Sequence, residues 1–233
     1  MKAVLFDLDG TLLPMDQEVF VKDYLGRMAA FLAPHGYDPE KLIKAVWKGT
    51  GAMVKNDGKV RNEDVFWAVF DRVMERDCRQ DSTLFEEFYR GEFQKSRNSC
   101  GFQPAAAPAV REIRSLGYQV ILATNPLFPT IATQSRIRWA GLEPKDFECI
   151  TTYENARFCK PNPDYYREIL GKLNLNPGDC LMVGNDVDED MVVETLGMKA
   201  FLLTDCLINR NQADISRYPS GGFTELLQYV RSL

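Results

Sequence analysis

Ala3-Val4-Leu5-Phe6-Asp7-Leu8-Asp9-Gly10-Thr11 is the stretch of this chain that decides its fold. Its first four residues form a continuous apolar run, which is typical of a strand buried on both faces of a parallel sheet. Similar runs occur later in the chain and predict further strands. They lie at residues 120–123, 181–183 and 200–203, with a weaker strand predicted at residues 149–150.

Helical patterns separate these later strands. One helix is predicted over residues 104–116 and a second over residues 129–140, and a glycine follows each of them as a stop signal. A third begins at Asn162-Pro163, which suits an N-cap followed by a first helical residue. Strands that alternate with helices indicate an α/β fold with a central parallel sheet and right-handed crossovers.

Residues 16–93 break this alternation. No strand-like run of useful length occurs there, and apolar residues recur at helical spacing in four segments. We therefore predict an α/β core formed by residues 1–14 and 101–233, interrupted by a four-helix domain at residues 15–100. The second connection between them, near residues 97–104, is rich in Ser, Asn, Gly and Pro, which is typical of a hinge.

The composition is that of an ordinary globular protein, with 45% apolar and 26% charged residues. A formal net charge of -5 argues against nonspecific binding to nucleic acid, which needs a cationic surface. No apolar run approaches the roughly 20 residues that span a bilayer, and no signal peptide is evident, so a cytoplasmic location is expected. Six scattered cysteines and a single histidine argue against a zinc site.

Asp7 and Asp9 follow directly on the first predicted strand, at the end of a parallel sheet where ligands bind. Two ionised carboxylates this close repel each other. A divalent cation such as Mg²⁺, which prefers hard oxygen ligands, removes that repulsion. The alternative for Asp-x-Asp-Gly by itself is a turn that closes a strand, since Asp and Gly are common turn residues. The apolar strand before the pair and Thr11 after it favour a chemical role.

The segment Asp7-Leu8-Asp9-Gly10-Thr11-Leu12 resembles the first motif of the haloacid dehalogenase superfamily. Thr124-Asn125 and Lys160-Pro161 resemble the second and third motifs. Gly184-Asn185-Asp186, with Asp190 four residues on, resembles the acidic fourth motif. The resemblance spans the whole α/β core, and it implies a Rossmann-like core whose helical insertion is a C1-type cap.

The resemblance also implies a role for each of these residues. Asp7 is the expected nucleophile and forms an aspartyl-phosphate intermediate, and Asp9 is the expected general acid and base. Lys160 is expected to neutralise both Asp7 and the phosphoryl group in transfer. The residues expected to hold the phosphate or the substrate are Thr11, Thr124, Asn125 and Lys160.

Three residues are expected to bind Mg²⁺ by the same resemblance: Asp7 through its side chain, Asp9 through its backbone carbonyl, and Asp186. Asn185 and Asp190 are expected to support them. Many members of the family have Gly-Asp where this chain has Gly184-Asn185, so either Asn185 or Asp186 is the direct ligand. We favour Asp186, because a carboxylate binds Mg²⁺ more strongly than an amide does.

The implied function is that of a magnesium-dependent phosphatase acting on a small phosphorylated metabolite, with neither nucleic acid nor a membrane as partner. Phosphomutase activity is the first alternative, since the motifs barely distinguish transfer to a sugar from transfer to water. A metal-free haloacid dehalogenase is a weaker alternative, because relatives with that chemistry lack the second acid, here Asp9. A noncatalytic phosphate-binding protein is a further alternative, which the complete set of catalytic groups disfavours.

A polar loop is predicted between the second and third inserted helices. Its cations either face solvent or meet an anionic substrate, and solvent exposure is favoured. The loop contains Lys48, Gly49-Thr50-Gly51, Lys55, Lys59 and Arg61. Trp47 and Trp67, at helical spacing with other apolar residues, are predicted to pack in the core.

Overall fold

Six parallel strands form the central sheet of the computed structural model, which describes residues 1–233. In chain order the strands are β1 Ala3–Phe6, β2 Gln119–Leu122, β3 Cys149–Ile150, β4 Cys180–Gly184, β5 Lys199–Leu203 and β6 Ser220–Gly221. Their order across the sheet is β3-β2-β1-β4-β5-β6. The predicted parallel sheet is confirmed, and all five predicted strands belong to it.

β1 lies between β2 and β4, with Phe6 opposite Leu122 and Val183. Because the three strands run in the same direction, their carboxyl ends meet at one edge of the sheet. Asp7 begins the segment after β1 at this edge, and its amide donates to the Val183 carbonyl at 2.9 Å. The register therefore brings the segments that follow β1, β2 and β4 together around Asp7.

Four helices belong to the α/β core: α5 Ala106–Ser115, α6 Thr130–Trp139, α7 Pro163–Leu173 and α8 Phe223–Arg231. The three predicted helices are confirmed as α5, α6 and α7. The side chain of Asn162 caps α7 as predicted, and it accepts from the Asp164 amide at 2.9 Å. Neither β6 nor α8 was predicted.

β1 is buried on both faces, as its apolar run predicts. Val4 and Phe6 pack into the larger apolar cluster, together with residues of α5, α6 and α8. Ala3 and Leu5 pack into the smaller cluster, together with residues of α7. Burial of each large apolar side chain contributes about 1.5–3 kcal/mol, so helices on both faces hold the central strand firmly.

The regular elements between β1 and α5 are all helices. It contains α1 Gln17–Leu32, α2 Pro39–Val54, α3 Asn62–Met74 and α4 Ser82–Arg90, followed by a 3-10 segment at Glu92–Ser99. We call residues 15–100 the insertion. Its two connections to the core run side by side, since Met15 pairs with Cys100 and the Gly101 amide donates to the Pro14 carbonyl at 2.7 Å.

The predicted polar loop is shorter than expected, because α2 continues to Val54. The segment from Lys48 to Gly51 is therefore helical, and the loop covers residues 55–61. Gly49 permits a close approach of α2 to α3, since a Cβ at Gly49 would lie 2.6 Å from the ring of Phe66. The prediction for Trp47 is also wrong, because it is 55% exposed, whereas Trp67 is buried as predicted.

No helix of the chain combines the length and the apolar composition that crossing a membrane requires.

Candidate active site

Four of the predicted site residues form one buried cluster at the end of β1. Lys160 Nζ donates to Asp7 Oδ1 at 2.8 Å and to Asp190 Oδ1 at 2.7 Å. The Thr11 hydroxyl donates to Asp7 Oδ2 at 3.1 Å. All four side chains are buried. Both carboxylate oxygens of Asp7 thus lie within hydrogen-bonding distance of a donor, one in its own loop and one in the segment before α7.

The opposite charges of Lys160 and its two carboxylate partners stabilise one another. Burial by itself would lower the pKa of Lys160, but the carboxylates of Asp190 and Asp7 outweigh it and raise that pKa well above its ordinary value. Burial raises the pKa of Asp190, and the charge of Lys160 opposes that rise. Lys160 is therefore a permanent cation beside Asp7. It can offset the added negative charge of an anion that approaches Asp7.

Asn185 lies beside the loop that follows Asp7. Its Oδ1 accepts from the Thr11 hydroxyl at 2.8 Å, and its Nδ2 donates to the Cys206 carbonyl at 2.7 Å. Gly10 faces this side chain with a φ of +88°, and a Cβ at Gly10 would overlap the Asn185 amide. The glycine is needed here both for its left-handed backbone and for the close approach of Asn185.

Asp186 is held by a different set of donors. Its Oδ1 accepts from the amides of Asp188 and Glu189 at 2.9 and 3.0 Å, and its Oδ2 accepts from Arg210 Nη1 at 2.6 Å. A bond from Oδ2 to a metal therefore requires Arg210 to release it. The side chain of Arg210 is 55% exposed, whereas that of Asp186 is only 7% exposed, so Arg210 covers a buried carboxylate from the solvent side.

Thr124 and Asn125 follow β2, as predicted. The Thr124 carbonyl accepts from the hydroxyls of Thr151 and Tyr165 at 2.7 and 2.8 Å, which fixes the backbone at this point. Asn125 Nδ2 donates to Glu189 Oε2 at 3.1 Å, while Asn125 Oδ1 is buried without a partner. Burial raises the pKa of Glu189 to about 7. Asn125 Oδ1 is thus a buried polar atom at this edge of the site that the chain leaves unpaired.

Asp9 pairs with Arg136, a residue that sequence analysis did not single out. Arg136 Nη1 donates to Asp9 Oδ2, and the guanidinium group lies 4.1 Å from the centre of the Phe128 ring. Asp9 Oδ1 is buried without a partner. Burial raises the pKa of Asp9, although the charge of Arg136 opposes the rise. Asp9 is thus a second carboxylate near Asp7, half-buried, with one oxygen bonded to Arg136 and the other without a partner.

The oxygen atoms around Asp7 fit a hard divalent cation. Asp7 Oδ2 and Asn185 Oδ1 both lie within hydrogen-bonding distance of the Thr11 hydroxyl, whose single hydrogen cannot satisfy both. Mg²⁺ binds through one or two carboxylates and keeps several waters, so these oxygens suit it. No group of three or more His, Cys, Asp or Glu side chains is arranged to hold a metal ion.

A cavity of about 650 Å³ lies between the insertion and the loop that follows Asn125. Phe128 forms part of its wall and also contacts Arg136, so the cavity is one side-chain layer from Asp9. Its volume is typical of ligand pockets, which measure roughly 300–1,000 Å³. The wall is rich in aromatic rings, those of Tyr24, Trp47, Phe66, Trp67, Phe70, Phe85, Tyr89, Phe128 and Tyr153.

Known proteins similar to this chain share its fold and include enzymes that act on phosphate compounds. The chain is 22% identical over 204 residues to the pyrophosphatase PpaX of Bacillus velezensis, covering 84% of this chain and 80% of that protein. It is 29% identical over 199 residues to the bifunctional riboflavin kinase/FMN phosphatase of Arabidopsis thaliana, covering 84% of this chain and 47% of that protein.

The crystal structure of 2-haloacid dehalogenase from Pseudomonas syringae pv. Tomato DC3000 superposes with a TM-score of 0.63. That alignment covers 100% of this chain and 98% of the dehalogenase at 21% identity, which shows a common fold. The family model for haloacid dehalogenase-like hydrolases matches residues 1–192, which include all the motifs described above. This chain therefore belongs to the haloacid dehalogenase-like hydrolases and is an enzyme of that hydrolase family.

Proposed function

We propose that the protein is a magnesium-dependent phosphatase that hydrolyses a small phosphorylated metabolite through an aspartyl-phosphate on Asp7. The observation that supports this most is the buried cluster at the end of β1. Asp7 is a carboxylate held by Lys160 at 2.8 Å and by Thr11 at 3.1 Å, with the second carboxylate of Asp9 two residues away. A fixed carboxylate nucleophile with a permanent cation beside it suits phosphoryl transfer.

The reaction has two steps, with Asp7 as the nucleophile and Asp9 as the group that donates and then accepts a proton. A carboxylate oxygen of Asp7 attacks phosphorus, and the bond from phosphorus to the ester oxygen breaks with its electron pair. Asp9 gives its proton to that leaving oxygen. In the second step Asp9 takes a proton from water as the water oxygen attacks phosphorus. The bond between phosphorus and Asp7 then breaks and returns its electron pair to the carboxylate.

The remaining predicted residues hold the phosphoryl group and the metal. Lys160, Thr124, Asn125 and Thr11 hold phosphoryl oxygens. Asp7, the carbonyl of Asp9 and Asp186 would hold Mg²⁺, supported by Asn185 and Asp190. Asn185 is the alternative to Asp186, because its Oδ1 shares the Thr11 hydroxyl with Asp7. The cation would supply further neutralisation of the charge on the phosphoryl oxygens.

The names of the relatives support phosphate chemistry over dehalogenation. The pyrophosphatase and the FMN phosphatase both act on phosphorus compounds by their names. The pair formed by Asp9 and Arg136 also supports this choice, because a metal-free dehalogenation needs no second acid. Phosphomutase activity is the alternative, since it differs only in the acceptor of the phosphoryl group.

The aromatic cavity supports a substrate whose organic part is apolar or aromatic. Four of the five charged residues in the cavity wall are paired with one another, and the fifth, Glu154, accepts from the amide and the hydroxyl of Thr130. Arg79 Nη2 lies 3.1 Å from Glu63, and Arg90 Nη2 lies 3.2 Å from Glu86. The surface left for a ligand is therefore mainly that of the rings, which bind planar and apolar groups.

The test is release of inorganic phosphate from a panel of phosphomonoesters, with Mg²⁺ and with EDTA. We expect hydrolysis that depends on Mg²⁺ and is abolished in Asp7→Asn, which has the same shape as the wild type and folds normally. Phosphate that appears on a second hydroxyl of the substrate instead of in solution would favour phosphomutase activity. A wild-type protein that is inactive on the whole panel with Mg²⁺ would contradict the proposal.

A further inference from the structure

Arg136 is a fully buried cation in a position where stability alone does not require one. Its side chain has no exposed surface, and it lies in α6 beside the buried residues Ile137 and Ala132. Burial of a guanidinium group is costly unless it is paired. Apolar side chains in place of a buried ion pair often leave stability unchanged or raise it. The buried ion pair is therefore weak evidence that Arg136 is present for stability.

The contacts of Arg136 point at a single partner. Nη1 donates to Asp9 Oδ2, and Asp9 is the one carboxylate paired with this guanidinium. Nη2 makes only a long contact of 3.4 Å to the Thr133 hydroxyl, and Nε has no partner. The centre of the Phe128 ring lies 4.1 Å from Arg136 Cζ, so the ring limits the movement of the guanidinium group. The guanidinium group of Arg136, on the packed helix α6, thus holds one oxygen of Asp9.

The two oxygens of the Asp9 carboxylate have different surroundings. Oδ2 is engaged by Arg136, whereas Oδ1 is buried and has no partner in the chain. A carboxylate with one oxygen pinned can rotate little, so its other oxygen keeps a fixed direction. Oδ1 is therefore the oxygen of Asp9 that the chain leaves without a partner.

We propose that Arg136 is a positioning residue that pins Asp9 Oδ2 and so fixes the orientation of the Asp9 carboxylate for proton transfer in the phosphatase reaction. The inference rests on the proposed function, and it adds a residue to it. In the first step the proton on Asp9 moves to the leaving oxygen, which keeps the electron pair of the broken bond to phosphorus. In the second step Asp9 receives a proton from the attacking water, and Asp7 regains its electron pair. Arg136 stays protonated throughout.

This role has a kinetic signature that a purely structural role lacks. Phenol is a weak acid, with a pKa of about 10 as in tyrosine, so a phenolate leaving group needs a proton as it departs. p-Nitrophenol is much more acidic, so p-nitrophenolate leaves readily without one. The two esters have nearly the same shape. A misplaced Asp9 therefore slows phenyl phosphate far more than p-nitrophenyl phosphate.

The experiment compares kcat/KM for these two esters, with Mg²⁺, in the wild type, Arg136→Met, Arg136→Lys and Arg138→Met. Arg138 is the matched control, since it lies in the same helix, is 51% exposed and pairs only with Glu143 at 3.4 Å. We expect Arg136→Met to lower kcat/KM for phenyl phosphate by about 10²–10³-fold, the usual contribution of a general acid. The loss for p-nitrophenyl phosphate should be at least tenfold smaller. Arg136→Lys should be intermediate, and Arg138→Met should match the wild type.

Two further measurements guard against misfolding. Millimolar guanidinium should restore part of the phenyl phosphate activity of Arg136→Ala and none of that of Asp9→Asn. The double variant Asp9→Asn/Arg136→Met, which leaves no buried carboxylate unpaired, should be no slower than Asp9→Asn, because Arg136 acts through Asp9. Equal losses on both esters without guanidinium rescue, or a double variant clearly slower than Asp9→Asn, would overturn the inference alone. Inactivity of the wild type and Arg138→Met on both esters would overturn the proposed function as well.

Discussion

Replacement of Lys160 by methionine removes the cation from the buried cluster and keeps a similar length of side chain. The ammonium group lies 2.8 Å from Asp7 Oδ1 and 2.7 Å from Asp190 Oδ1, and no part of the Lys160 side chain is exposed. Asp190 is only 1% exposed. The substitution therefore leaves two buried carboxylates next to each other without the charge that holds them together.

The magnitude follows from these contacts. Removal of one partner from a buried ion pair destabilises a protein by about 3–5 kcal/mol, because the remaining charge is uncompensated. Asp190 keeps a hydrogen bond from the Asp186 amide at 3.0 Å, and Asp7 keeps the Thr11 hydroxyl at 3.1 Å. These bonds place the expected loss at the lower end, about 3 kcal/mol. For a chain of this size that corresponds to a fall of roughly 6–12 °C in melting temperature.

Urea unfolding at neutral pH in EDTA measures this loss directly. Lys172→Met is the control, because Lys172 is 45% exposed and its pair with Glu168 at 3.0 Å is a surface pair worth about 0–1 kcal/mol. The double variant Lys160→Met/Asp190→Asn should recover part of the loss, since one stranded carboxylate is gone. A Lys160→Met protein as stable as Lys172→Met would refute the argument that Lys160 holds the two carboxylates together.

Three further predictions concern the surroundings of the cluster. Gly184→Ala should cost at least about 1 kcal/mol in thermal unfolding, because its Cβ would overlap the Asp190 carboxylate. Gly178→Ala, with nothing within 4 Å of the added Cβ, should be neutral, and equal stabilities would contradict the predicted overlap. Asn62→Ala should cost about 1–3 kcal/mol in urea unfolding, because its buried amide joins the insertion to core carbonyls, and an unchanged midpoint would count against this bridge. An apolar dye should quench tryptophan fluorescence by entering the cavity, and Trp67→Phe should weaken that response; an unchanged response would place the dye elsewhere.

The central strands could be predicted from the sequence because of where they lie in the sheet. β1, β2, β4 and β5 are covered by helices on both faces, so each appears in the sequence as an unbroken apolar run. β6 has only two residues, Ser220 and Gly221, and carries no apolar run to detect. α8 does carry Phe223, Leu226 and Val230 at helical spacing, so its signal was present and was missed.

The cluster at the end of β1 was predictable only through the order of the motifs. Lys160 follows Asp7 by 153 residues, and nothing local to either residue indicates that they are in contact. Arg136 gave no comparable signal, because arginine in a helix is usually exposed. Its partner Asp9 lies 127 residues away in the chain. Arg210 lies outside every motif, so its bond to Asp186 also required the structure.

The central claim is that Asp7 carries the phosphoryl group during turnover. The most direct measurement is a rapid acid quench of the enzyme in the presence of a phosphomonoester and Mg²⁺, followed by peptide mass mapping. We predict that the peptide containing Asp7 gains the mass of one phosphoryl group, and that hydroxylamine removes it, as expected for an acyl phosphate. The modification should be absent from Asp7→Asn. Turnover by the wild type with a phosphoryl group on another residue would contradict the claim that Asp7 is the nucleophile.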